Sequence, residues 1–328
     1  MDVIALNYEE VERLLPMVEC IQVMEQALAA LARGEVDNPL RTVIQPSGAK
    51  GMLALMPAYR GGKEAAVGLK AICVFPGNAE RGLDIHQGAV MLFSAETGEL
   101  QAVMNGSAIT AIRTAAVSAV ATRLLAREDA RELALVGTGV QAKVHLEALA
   151  EVRNFQRVKV ASRRAKRAQD FADSLRARYP FPIEPVKRAE DAIREADVIT
   201  TVTTSAEPVV KREWVAAGAH INAVGASLPT TRELDTATLA DASVFVDRRE
   251  STLHESGDYL MAAEQAALDP NHIRAEIGEV LIGAKTGRSS PEEITVFKSL
   301  GLAVEDLAAA QHVYRQALKT GAGTRIPF

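Results

Sequence analysis

Only two of the 328 residues are cysteine, Cys20 and Cys73, and they lack C-x-x-C spacing. That argues against a disulfide framework or a structural zinc site, and a reducing, cytoplasmic setting is expected. The six histidines are scattered, with no H-E-x-x-H pair, so no metal site is expected. No apolar run approaches the length of a membrane span. The opening MDVIALNYEEVERLL is acidic and lacks the charged-then-apolar order of a signal peptide. A basic excess is missing too. Lys and Arg number 37 against 42 Asp and Glu, a net charge of −5, so the whole molecule repels nucleic acid and anionic membrane. Neither is an expected partner, and any basic patch must act locally.

What is present suits a soluble globular chain: 48% of residues are apolar and 24% charged, with length for two domains. Residues 8–34 read as helix, with Asn7 and Glu10 spaced as a capping box, Pro16 opening a second segment and Gly34 as the stop. From 39 to 104 the texture becomes RTVIQP, GMLALMP, AVGLKAICVFP, GAVMLFS and LQAVMNG, strands of an antiparallel or mixed sheet. An Ala-rich helix over 108–127 follows. From Glu132 strands and helices alternate (ELALVG, RVKVAS, DVITTVT, AHINAVG and SVFVD are the strands), which predicts a doubly wound parallel sheet. A last helix, with Val304, Leu307 and Ala308 on one face, is expected to pack back on the first domain. The expected fold is α/β: a Rossmann-type domain over 119–299 beside an α+β domain made of 1–118 and 300–328.

The stretch LALVGTGVQA sets Gly137, Gly139 and Ala142 in a G-x-G-x-x-A pattern between a strand and a helix start. In that context it reads as a dinucleotide fingerprint. Gly137 permits the turn, Gly139 lets the backbone approach a pyrophosphate, and Ala142 allows close helix–sheet packing. The helix start offers unpaired N–H groups to phosphate.

The second strand ends in Ser162-Arg163-Arg164, where an NAD site usually places an acid on the ribose 2′-hydroxyl. A carboxylate repels a 2′-phosphate, whereas guanidinium groups pair with it. NADP(H) is therefore the expected cofactor, with NAD(H) as the alternative. Lys166 and Arg167 add local potential. Two other readings of VKVASRRAKR stand beside this one: a solvated helix start, and a nucleic-acid patch, which lacks nearby aromatics to stack bases.

Three cations in the first domain occupy apolar or small-residue surroundings: Arg41 at the start of RTVIQP, Lys70 within AVGLKAICVF, and Arg113 within AITAIRTAAVSAV. Buried charge is costly unless paired. With few acids nearby in the sequence, they suggest an anionic ligand, most simply a carboxylate. Pairing with structural acids, or snorkelling to solvent, is the alternative. His86 in DIHQGAV is a weaker candidate, since a lone histidine is more often structural.

MPAY at 56–59, ITAIRTAAVSA at 109–119, GTGVQA at 137–142, GAHINAVGAS at 218–227, RELD at 232–235 and TVFKSLGLAVED at 295–306 together resemble the ornithine cyclodeaminase/mu-crystallin family along essentially the whole chain. The resemblance implies a homodimer whose N-terminal domain, joined by the C-terminal helix, binds a small carboxylate-bearing imine or amino acid. It puts carboxylate-binding cations on Arg41, Lys70 and Arg113. Cofactor contacts fall on Gly137, Thr138, Gly139, Val140, Gln141, Ser162, Arg163, Arg164, Thr203 and Val224.

Two positions separate the family's activities. Where cyclodeaminases carry a Glu facing ornithine, this chain has Met52. Where cyclodeaminases and alanine dehydrogenases carry a catalytic Asp, it has Ser227, as in mu-crystallin-like ketimine reductases. Oxidising an amino acid requires a base, which an unassisted hydroxyl does not supply. Reducing a preformed cyclic ketimine is less demanding. The expected activity is thus NADPH-dependent reduction of Δ1-pyrroline-2-carboxylate or Δ1-piperideine-2-carboxylate to proline or pipecolate. Lys70, Arg113 and Ser227 are the catalytic candidates. Ornithine cyclodeaminase, alanine dehydrogenase and a non-catalytic NADPH-dependent binding protein are the alternatives.

Overall fold

A computed structural model describes residues 2–328, apart from the side chains of residues 79 and 80. The chain divides into two compact units, 1–116 with 301–328, and 117–300.

In the first unit the capping box forms as the spacing predicts, with Asn7 and Glu10 exchanging side-chain and backbone hydrogen bonds, both at 2.9 Å. Pro16 breaks the helical stretch into Tyr8–Leu14 and Met17–Ala32, bent by 79°. The sheet runs Thr324–Pro327, Asp2–Leu6, Leu100–Asn105, His86–Phe93, Ala66–Val74, Met52–Arg60, Val36–Asp37, with Thr42–Ile44 also paired to Met52–Arg60. Among the described residues, Asp2–Leu6 and Leu100–Asn105 are the one pair in this sheet that runs parallel. Strand alternation puts Met56, Lys70 and Val90 in one row across the buried face. The C-terminal helix Ala303–Thr320 covers that face, and Met17–Ala32 packs on the helix.

The second unit carries eight parallel strands in the order Ile183–Val186, Arg157–Ala161, Glu132–Val136, Val198–Thr201, His220–Ala223, Thr295–Lys298, Ser243–Val246, Ile273–Glu276. From the first of these in sequence, Glu132–Val136, the chain winds outward through two strands and then crosses to the other side. This is the topological switch point at which α/β sheets bind ligands, beyond the strands' carboxyl ends. The doubly wound Rossmann-type fold read from the sequence is thus present. Both faces are packed, with Ile199, Ile221 and Val244 in one core and Leu135, Val158 and Val198 in another.

One sequence expectation needs correcting. The helix Gly106–Leu125 is long and apolar enough, by length and composition, to cross a membrane. Arg113 and Arg123 interrupt its apolar run and hid this, yet 83% of the relevant window is buried inside the protein.

Candidate active site

The predicted site residues fall into two groups, one in each unit. In the first, Lys70 and Arg113 are buried, at 3% and 4% exposure. Lys70 Nζ lies 2.6 Å from Asp306 Oδ2. Arg113 donates to Asp306 Oδ1 at 3.0 Å and to Glu305 Oε2 at 2.6 Å. Both acids sit in the first turn of the C-terminal helix and are themselves buried. The idea that these cations have few acids nearby is therefore wrong in space. Asp306 and Glu305 are remote in sequence and are brought in by the closing helix.

A third cation joins them. Arg41 Nη2 donates to the Gly301 carbonyl at 3.0 Å, and Arg113 passes so close that a Cβ on Gly301 would lie 2.6 Å from Nη1. Arg41, Lys70 and Arg113 thus gather around the start of the C-terminal helix, with Lys70 and Arg113 paired to its two acids. Burial lowers the Lys70 pKa to about 8, with Arg113 and Arg41 pushing the same way and Asp306 opposing. Burial works to raise the Asp306 pKa, but the charges of Arg113 and Lys70 outweigh it and hold the carboxyl below its ordinary value. At neutral pH Lys70 and Asp306 are both charged.

Met52, Val74 and His86 form another row on the same sheet face as Lys70. Met52 is half-buried and apolar. His86 keeps exposed surface, yet it has lost enough water contact to lower its pKa, helped by Lys70 and Arg113 and opposed by Asp84.

In the second unit the fingerprint forms as its residues dictate. Gly137 has φ +124°, and a Cβ there would lie 2.7 Å from the Val202 carbonyl oxygen. The helix Val140–Ala150 starts at Gly139 without a side-chain cap, and the space around the Gly139 Cα is open. Val140 is 58% exposed at that helix start. The first-turn N–H groups of Val140 and Gln141 have no carbonyl of their own helix to reach. These features fit a dinucleotide pyrophosphate. Thr138 Oγ1 donates to Ser162 Oγ at 3.3 Å, tying the loop to the end of the second strand.

Arg163, Arg164 and Arg167 are exposed, and no acid pairs with them among the described residues. Lys166, by contrast, pairs with Asp170 at 3.0 Å. The five charges of VKVASRRAKR are thus not equivalent: Lys159 and Lys166 are paired with acids, and the three arginines are not, among the described residues.

Thr203 and Val224 lie just beyond the strands Val198–Thr201 and His220–Ala223. Ser227 follows, half-buried, and its hydroxyl makes no hydrogen bond among the described residues. No carboxylate replaces it in the loop Val224–Thr230. Sequence reasoning missed Glu305, Asp306 and the buried Glu233. Each lay inside a quoted motif, but its immediate sequence neighbours gave no sign of its burial.

The ornithine cyclodeaminase/mu-crystallin family profile matches residues 1–321. The chain belongs to that family. It is 42% identical over 294 residues to ketimine reductase mu-crystallin of Mus musculus, covering 89% of this chain and 90% of that one. The solved Δ1-pyrroline-2-carboxylate reductase of Thermococcus litoralis, in complex with NADH and L-proline, is 37% identical at a TM-score of 0.96, covering 99% of this chain and all (100%) of that one. An archaeal alanine dehydrogenase dimer with bound NAD is 38% identical at a TM-score of 0.94, covering 100% of both chains.

Proposed function

We propose that this family member reduces cyclic α-imino acids, Δ1-pyrroline-2-carboxylate or Δ1-piperideine-2-carboxylate, to L-proline or L-pipecolate with NADPH. The observation that carries the reading is Ser227 at the loop position where oxidative members need an acid, combined with the buried cations Lys70 and Arg113 in the first unit. The likeness to a pyrroline-2-carboxylate reductase that holds L-proline, and to a ketimine reductase, supports it.

Arg41 and Arg113 clamp the substrate carboxylate, with Arg113 held in place by Glu305 and Asp306. Lys70 adds charge beside them and, as an ammonium with a pKa of about 8, relays a proton to the substrate side. Ser227 hydrogen-bonds the ring nitrogen or an ordered water. When bound, the reduced dinucleotide supplies the hydride. The protein's own task is to align a protonated C=N bond, already electrophilic, and to exclude water.

NADPH rather than NADH rests on Arg163 and Arg164. The related structures contain NADH or NAD, so NAD(H) is the competing cofactor. An alanine dehydrogenase activity is the competing reaction, favoured by the 38% identity to such an enzyme. Steady-state turnover of a panel of cyclic imines and free amino acids separates the two. Release of ammonia from alanine or ornithine, without NADPH-dependent imine reduction, would overturn the proposal. A homodimer belongs to the same reading, supported by the dimeric alanine dehydrogenase and by an apolar outer sheet face.

A further inference from the structure

We propose that Glu233 is a positioning residue for the nicotinamide half of the dinucleotide, acting through the backbone at the ends of two adjacent parallel strands. The inference rests on the dinucleotide-binding part of the proposed function.

Glu233 is fully buried, at 0% exposure, in the second unit. Its Oε2 accepts from Thr201 Oγ1 at 2.8 Å and from the Gly225 N–H at 2.7 Å, while Oε1 accepts from the Thr203 N–H at 2.6 Å. Thr203 and Gly225 lie just past the carboxyl ends of Val198–Thr201 and His220–Ala223, where the sheet ladder no longer supplies acceptors. The Gly225 N–H also reaches the Thr201 carbonyl at 3.1 Å, but no other acceptor is found for the Thr203 N–H among the described residues. A Cβ on Gly225 would collide with Thr203 and with Glu233 Oε1, so the three groups are in close contact.

A second buried pair completes the support. Lys298 Nζ donates to the Ala226 carbonyl at 2.6 Å and to Asp258 Oδ2 at 3.0 Å. Asp258 Oδ1 in turn accepts from the Glu233 and Leu234 N–H groups, at 2.7 and 2.8 Å. The segment leading to Ser227 is therefore fixed from both sides by buried charge.

Location gives this scaffold its function. A dinucleotide crosses the switch point of a doubly wound sheet. Its adenosine half belongs at the Ser162–Arg164 side, so the nicotinamide half belongs over the strands that Glu233 braces. Two of the three partners of the Glu233 side chain, the Thr203 and Gly225 N–H groups, can only donate. A glutamine there must turn its own N–H toward one of them, leaving a buried clash of donors.

The test is calorimetric titration of the full chain and of Glu233→Gln with NADPH and with 2′-phospho-ADP-ribose, the same molecule without its nicotinamide. NADH and ADP-ribose form a parallel pair that does not depend on the 2′-phosphate. The substitution should weaken the intact cofactor about tenfold or more, while the nicotinamide-free analogue changes less than about twofold. Equal losses for both ligands, or no loss for either, would overturn the assignment. Failure of the wild type to reduce cyclic imines would strike the proposed reaction and leave this result standing.

Discussion

Lys70 and Asp306 meet at 2.6 Å inside the first unit, and Arg113 bonds the other oxygen of the same carboxylate at 3.0 Å. One acid thus orients two of the three candidate substrate-binding cations. Removing one partner of a buried pair leaves uncompensated charge, at a cost of about 3–5 kcal/mol. Asp306→Asn, which keeps the volume, should lose stability on that scale in denaturant unfolding. A change below about 0.5 kcal/mol would show that the pair does not hold this site.

The Lys70 pKa of about 8 predicts the pH dependence of substrate binding. Below that pH the ammonium is present, and above it the site loses one positive charge. KM for the imino acid should therefore rise as pH passes upward through about 8, and a KM flat to pH 10 would contradict the assignment. The sign for folding is opposite. A lysine whose folded pKa lies below its unfolded value binds fewer protons when folded, so between those two values its contribution to stability rises with pH. Weaker binding there would not reflect unfolding.

In the proposed function Arg163 and Arg164 carry the preference for NADPH. Replacing both with Ala should cost NADPH binding about 1.5–3 kcal/mol, the range for hydrogen bonds to a charged group. NADH affinity should stay within about twofold. Titration of each cofactor against the double variant checks this, and equal losses would refute a 2′-phosphate seat.

The sheet of the first unit presents a second apolar face, away from the C-terminal helix. Leu53, Leu55, Leu69 and Met91 are half-buried there, while Tyr59 and Val67 are exposed at 42% and 36%. A second copy of the chain would cover these groups. Val67→Asp should shift the protein toward monomer in sedimentation, while wild type remains a dimer. A monomeric wild type would refute the interface.

The dinucleotide half was legible in the sequence because its signal is local. Strand, Gly137, Gly139 and helix lie within one short stretch, and Arg163 follows at the next strand end. Lys70 and Arg113 were visible as charges out of place. Their partners were not, because Glu305 and Asp306 come from the other end of the chain and look like ordinary acids in a first helical turn. Three strands of the second unit also escaped notice. Ile183–Val186 contains Pro185, tolerated because the strand lies at the sheet edge. Ile273–Glu276 alternates with charge. Thr295–Lys298 ends in a lysine that is buried only because Asp258 and the Ala226 carbonyl receive it. In each case the deciding partner is distant in sequence.

The central claim is hydride delivery to the carbon of a cyclic C=N bond. It is tested most directly by incubating the protein with Δ1-pyrroline-2-carboxylate and NADPH deuterated at the transferring position of the nicotinamide, and locating the label by NMR. The account predicts L-proline carrying deuterium at Cα. Unlabelled proline, or no proline while alanine or ornithine yields ammonia, would contradict it.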